Sequence, residues 1–232
     1  MKFNKMRTKI ILQRQLFTRL FSREFSTANF RCSAKLEVLP KKSLVDERLK
    51  STIISNLTPN TPVTLKLSVT NNVNLNYASK TEFKADSNGV VDLSNSVPTC
   101  GAYEDPDLMS IYWTMKYQTD SDTRFWPLKI NNGLQCTYQV YEKENELIAE
   151  ETVYKDYMGD GVQRIEIKSG QIRGTLFLPP GPGPFPAVIK IYGGIHKGNV
   201  VEEKSAMFAS RGIASLALGF FGVPDLPKKY VK

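Results

Sequence analysis

Gly193 and Gly194 stand directly after an apolar run at residues 187–192 (AVIKIY), and His196, the only histidine of the chain, follows two positions later. Open α/β sheets bind ligands in the crevice beyond the carboxyl ends of their strands. A glycine pair at such a place lets the backbone approach a bound group closely; it can equally serve as a tight turn and nothing more. His196 has the chemistry of a general base, but a base needs a nucleophile within reach, and no Gly-x-Ser-x-Gly occurs in the 232 residues. A lone histidine beside a glycine turn is ordinarily a surface residue. Cys32, Cys100 and Cys136 are odd in number and share no metal-ligand spacing. Neither a disulfide framework nor a zinc site is expected from them, and buried, inert thiols in a reducing compartment fit better. No metal and no cofactor is implied.

The elements that must position the glycine pair lie on either side of it. Residues 162–167 (VQRIEI) alternate and are expected to pair with 172–178 (IRGTLFL) across Lys168-Ser169-Gly170-Gln171 as an antiparallel edge hairpin. The chain then turns through PPGPGP at 179–184, too proline-dense for strand or helix. Residues 187–192 read as a buried strand. Residues 200–210 (VVEEKSAMFAS) read as a helix with Ala206, Met207 and the neighbourhood of Ala209 towards the sheet, stopped by Arg211-Gly212. Residues 213–218 are the next buried strand. Continuous apolar strands alternating with a helix predict a parallel sheet covered on both faces.

Residues 32–155 have another character. Strand-like runs at 35–39, 61–70, 77–85, 90–93, 137–141 and 148–154 recur between turn signals, of which Asp86-Ser87-Asn88-Gly89 is the strongest. With no convincing helix and no Cys-Trp-Cys arrangement, this spacing predicts a β-sandwich, immunoglobulin-like in architecture only. The apolar stretch 105–113 is expected to plug the sandwich edge or the domain boundary, with Met109 and Trp113 buried there. The region carries no cluster of His, Cys or paired carboxylates, and so reads as a support.

The formal charge of +8 is concentrated at the start of the chain. Lys2, Lys5, Arg7, Lys9, Arg14, Arg19 and Arg23 face only Glu24 in the first 25 residues, so that segment is net +6 and the remainder only +2. A nucleic-acid surface is therefore not implied. Residues 1–31 are cationic and acid-poor, with Phe3, Met6, Ile10, Phe17 and Leu20 at helical spacing. That is the profile of a mitochondrial transit peptide with a cut after Phe25; a disordered basic arm or a helix lying on an anionic membrane is the alternative. No run of 18 apolar residues is present, so no stable membrane insertion is expected.

GTLFLPPGPGPFPAVIKIYGG at 174–194, followed by ASRGIASLALGFFGVPDLPKKY at 209–230, is similar to the start of the α/β-hydrolase domain in one family, the acyl-CoA thioesterases and bile-acid-CoA:amino-acid N-acyltransferases. The stretch 107–113 (DLMSIYW) resembles an apolar segment of the family's N-terminal sandwich, and the likeness covers about residues 33–232. It implies an immunoglobulin-like β-sandwich at 32–155 and an incomplete α/β-hydrolase domain at 156–232. It also implies acyl-CoA as the substrate of the complete family member, hydrolysed to fatty acid and CoA. By the same resemblance Gly193, Gly194 and Ile195 are the oxyanion-loop candidates. His196 precedes the nucleophile position, which contradicts the family's chain order for the base. Nucleophile, acid and base are expected beyond residue 232, leaving this chain inactive alone. A non-catalytic dimerising short form and a fragment of an N-acyltransferase are the alternatives. The address expected is the mitochondrial matrix, or else the peroxisome or cytosol.

Overall fold

Alternation builds the largest sheet, because Val63, Leu65, Leu67 and Val69 point one way and Thr64, Lys66 and Ser68 the other. The computed structural model describes residues 34–70, 76–101, 103–117, 130, 133–143, 146–191 and 202–219. Along them run β1 (Lys35–Leu39), β2 (Lys42–Leu44), β3 (Ser51–Ser55), β4 (Pro62–Thr70), β5 (Asn76–Lys84), β6 (Val91–Asp92) and β7 (Cys100–Gly101). A single helical turn, α1 (Ser110–Trp113), precedes β8 (Lys116–Tyr117), β9 (Leu134–Glu142) and β10 (Glu146–Asp156). The chain then continues as β11 (Gln163–Ser169), β12 (Ile172–Leu178), β13 (Ala187–Ile191), α2 (Glu203–Ser210) and β14 (Ala214–Gly219).

The first two sheets face each other. One has the order β1-β3-β6; the other runs β2-β10-β9-β4-β5-β7, with β8 also on β5. In the larger sheet Leu65 lies opposite Thr81 and Val140, and Leu67 opposite Ser79 and Tyr138. These rows join Leu36, Val38, Ile54 and Val91 of the smaller sheet in one buried cluster. A β-sandwich is thus what the described residues before 157 form.

Turn chemistry fixes where strands stop. Asp86 Oδ1 accepts from the backbone N–H of Asn88 and of Val90, both at 2.8 Å. Gly89 then adopts φ +72°, and a Cβ there would lie 2.1 Å from the carbonyl oxygen of Leu57. The Leu57 N–H donates to the Gly89 carbonyl at 3.0 Å, so backbone meets backbone. Gly89→Ala is expected to destabilise the protein by about 2 kcal/mol, combining left-handed strain with the shift of Leu57. Urea denaturation measures it, and a loss below about 0.5 kcal/mol would show the turn to be adaptable.

Several expectations are corrected. Trp113 is 65% exposed, with the Arg48 guanidinium 5.5 Å from its ring centroid, while Met109 and Ile111 take the buried positions. A four-residue turn directs neighbouring side chains to different sides, so an apolar stretch cannot bury all of them. That turn, α1, is also a helix where none was expected. Cys100 is exposed and only Cys136 is buried; Cys32 lies outside the described residues.

Candidate functional site

β12, β14 and β13 are the frame on which any chemistry at residues 193–195 must stand. The third sheet has the order β11-β12-β14-β13. β11 and β12 form the expected antiparallel hairpin, with Gln163 opposite Leu178 and Ser169 opposite Ile172. β12 is antiparallel to β14, and only β13 and β14 run parallel, connected through α2. The sheet is therefore mixed, not wholly parallel.

Register assigns the two faces. Phe177 lies opposite Ser215, which lies beside Val188; Thr175 lies opposite Ala217, which lies beside Lys190. This face carries α2, since the hydroxyl groups of Ser215 and Ser205 are 2.9 Å apart. Ala206, Ala209 and Phe177 are fully buried there. On the other face Ile165, Leu176, Leu216 and Ile189 form one cross-strand row. Ile189 is 66% exposed and Ile191 57%, which corrects the expectation of a buried strand at 187–192 covered on both faces. An apolar run states what would profit from burial, while burial itself needs neighbours on both faces, and among the described residues β13 has one strand partner.

Glu202 ties α2 to the hairpin. Arg164 donates from Nε to Oε2 at 2.9 Å and from Nη2 to Oε1 at 2.6 Å, a two-point pairing. Thr175 Oγ1 donates to the same Oε1 at 2.5 Å. The hydrogen bond to Glu202 raises the Arg164 pKa, so the guanidinium stays charged at any ordinary pH. The carboxylate belongs to the N-cap residue of α2, so the cluster fixes the start of that helix against the hairpin. Glu202→Ala is expected to cost about 1–2 kcal/mol, discounted for the partial exposure of Arg164. A double-mutant cycle with Arg164→Ala checks this; additive losses would show that the pair is not coupled.

A second set of contacts joins the third sheet to the sandwich. Ser210 Oγ accepts from the Gly159 N–H and donates to the Ala206 carbonyl, both at 2.8 Å. Arg211 reaches Asp46 at 3.0 Å and Glu47 at 3.6 Å. Those two acids lie in the segment after β2, where the buried Lys155 donates to the Glu47 carbonyl from inside.

Gly193, Gly194, Ile195 and His196 lie outside the described residues, as do positions 192–201 together. The structure thus places the strand before the candidate oxyanion loop and the helix after it. Reasoning from sequence missed the Arg164–Glu202–Thr175 cluster. Its members are spread over 38 residues, and no spacing rule links them. Cys136 is no nucleophile, because burial pushes its thiol up to about 11. Among the described residues no group of three His, Cys, Asp or Glu is placed to hold a metal ion.

In the described residues a β-sandwich passes after its last strand into a mixed sheet that carries a helix on one face and has one parallel crossover. Residues 46–169 match the family model described as the acyl-CoA thioester hydrolase/BAAT N-terminal region. The chain belongs to that family. It is 33% identical over 206 residues to the peroxisomal succinyl-coenzyme A thioesterase of Mus musculus, covering 85% of this chain and 47% of the relative. It is 32% identical to acyl-coenzyme A thioesterase 6 of Mus musculus, over 84% of this chain and 47% of that one. It is 31% identical to the bile acid-CoA:amino acid N-acyltransferase of Mus musculus, over 86% and 49% respectively. The chain spans about half the length of the curated relatives it matches.

Proposed function

We propose that the protein acts on acyl-CoA thioesters, hydrolysing them to fatty acid and free CoA, and that residues 156–232 belong to an α/β-hydrolase domain behind a sandwich at 32–155. The observation that carries this reading is the parallel β13–α2–β14 crossover, whose first strand ends two residues before Gly193. In hydrolases of this type the loop after the corresponding strand supplies a backbone N–H to the oxyanion. Gly193, Gly194 and Ile195 take that role: as a nucleophile attacks the thioester carbonyl, their N–H groups receive the charge that develops on its oxygen. Glu202, Arg164 and Thr175 fix the start of α2, the next described element after β13. The sandwich is the support.

These 232 residues contain no Gly-x-Ser-x-Gly and one histidine, so on their own they are expected to release no CoA thiol above background. The natural polypeptide that contains them, purified from its source, is expected to release CoA thiol from a long-chain acyl-CoA. In it Gly194→Val should lower kcat by about 10²-fold through displacement of the N–H donor. No thiol release with short, medium or long acyl chains sinks the proposal. Amide formation with an added amino acid, in place of free acid, moves the protein to the transferase branch, towards which the N-acyltransferase relatives point.

A second reading, a non-catalytic dimerising module, draws on the exposed edge strand β13 with Ile189 and Ile191. Sedimentation of the 232-residue chain tests it; a monomer at about 100 μM removes it. For the address, the basic segment 1–31 supports mitochondrial import, while one relative bears a peroxisomal name. A reporter fused behind residues 1–31 separates the two.

A further inference from the structure

On the outward face of the sandwich, β4, β5 and β9 enclose an open groove of about 380 Å³ lined by Thr64, Lys66, Lys80, Glu82, Tyr141 and Lys143. We propose that this groove binds a phosphate-bearing small molecule of the mononucleotide class. The volume lies within the range of small-ligand sites, and three ammonium groups against one carboxylate give its lining a net positive charge.

Three features argue that the lysines are there for an anion. Lys66 and Lys80 are direct cross-strand partners in the β4–β5 register. Like charges opposite one another destabilise a strand pair, so the pairing opposes folding and a bound anion would relieve it. The ion pair of Lys80 with Glu82 is long, at 3.9 Å, and among the described residues no ion pair involves Lys66 or Lys143. Lys143 adopts φ +61° where β9 ends, an uncommon conformation for a lysine, and it contributes to the same lining.

The aromatic member is held in place. Tyr141 OH donates to Gln139 Oε1 at 3.0 Å, and Gln139 Nε2 donates to Glu150 Oε2 at 2.7 Å. A ring so fixed beside cationic groups offers a base a face to stack on while the phosphate meets the lysines. Tyr141 pairs with Leu147, near the start of β10, whereas the chain leaves the sandwich after Asp156 at its other end. At about 3.4 Å per residue the two ends are roughly 30 Å apart. The groove is therefore separate from the third sheet, and the proposal does not depend on the thioesterase reading.

Calorimetric titration of the 232-residue chain with pyrophosphate, adenosine 3′,5′-bisphosphate and CoA tests the proposal, with amide NMR shifts locating the contact. The nucleotides are expected to bind with Kd below about 1 mM at low salt, weakening as salt rises. Lys66→Ala and Lys80→Ala should each weaken binding about tenfold, while Lys35→Ala leaves it unchanged. Tyr141→Leu should weaken the nucleotides and spare pyrophosphate. Lys66→Ala should also leave Tm unchanged or raise it, since it removes a like-charge pair; this keeps a binding loss distinct from misfolding. No binding by any of the three ligands overturns the proposal, as does binding indifferent to both lysines. A single-stranded oligonucleotide that binds far more tightly than either nucleotide would also overturn it, by showing a surface for a polymer.

Discussion

Lys155→Ala is expected to cost about 3–4 kcal/mol of folding stability, since it removes a buried hydrogen-bonded cation and leaves a cavity. Lys155 is only 2% exposed. Its ammonium donates to the Glu47 carbonyl at 2.7 Å, to Ser43 Oγ at 3.1 Å and to the Leu44 carbonyl at 3.5 Å. It also lies 5.4 Å from the Tyr112 ring centroid. β2, through Ser43 and Leu44, and the segment after it, through Glu47, thus owe three attachments to one side chain. Because Arg211 grips Asp46 and Glu47 from the end of α2, the loss should reach the third sheet as well. Lys155→Met, which keeps the apolar stem, is expected to lose about half as much. Urea denaturation of the three proteins decides it; a loss below about 1 kcal/mol for the alanine variant would show that water replaces the ammonium at little cost.

The same residue gives a pH signature. Burial lowers the Lys155 pKa more than the charges around it, Glu47 and Asp46 among them, raise it. The unfolded chain then binds more protons than the folded one, so this group's contribution to stability rises with pH towards 10.5. The buried tyrosines act in the opposite sense, because burial raises the pKa of Tyr112, Tyr138 and Tyr157. Their contribution is whole below pH 10 and is lost above it. The stability difference between the protein and Lys155→Met should therefore widen as pH rises towards 10.5. A flat difference would mean that Lys155 titrates normally.

Phe177→Ala is expected to cost about 3–5 kcal/mol, the usual loss for a fully buried phenylalanine. Phe177 is the large side chain on the face that α2 covers, where Ala206, Ala209, Ser205 and Ser215 are all small. None of them can close over the space it would leave, so most of the cavity should persist. Phe177→Leu should lose only about 1 kcal/mol, as a swap of similar volume. Hydrogen exchange localises the effect: amides of β12 and β14 should lose protection while those of β4 and β9 keep theirs. Uniform loss in both sheets would show that sandwich and third sheet unfold as one unit.

How far the sequence reached differs between the two halves. The alternation in 61–70 and the turn at Gly89 were legible because both are local: period two, and a left-handed backbone that glycine accepts without strain. The short strand β2 went unread, since Lys42–Leu44 is three residues long and pairs in parallel with distant Tyr154, Lys155 and Asp156. The hairpin β11–β12 and the order strand, helix, strand at 187–218 were also legible, by period and by the stop at Gly212. What the run at 187–192 could not convey is which strands flank it. Hydrophobicity records the preference of a segment, and exposure follows from its neighbours.

The sequence by itself determined the family, the sandwich and the crossover, because each rests on residue types in a local pattern. The tertiary structure alone decided that Glu202 is held by Arg164 and Thr175, that Lys155 anchors residues 43–47 from within, and that Lys66 and Lys80 stand side by side on neighbouring strands in the lining of one groove. These last pairings join residues between 14 and more than 100 positions apart. Contact over such separations is set by strand register and packing, and no linear spacing encodes it.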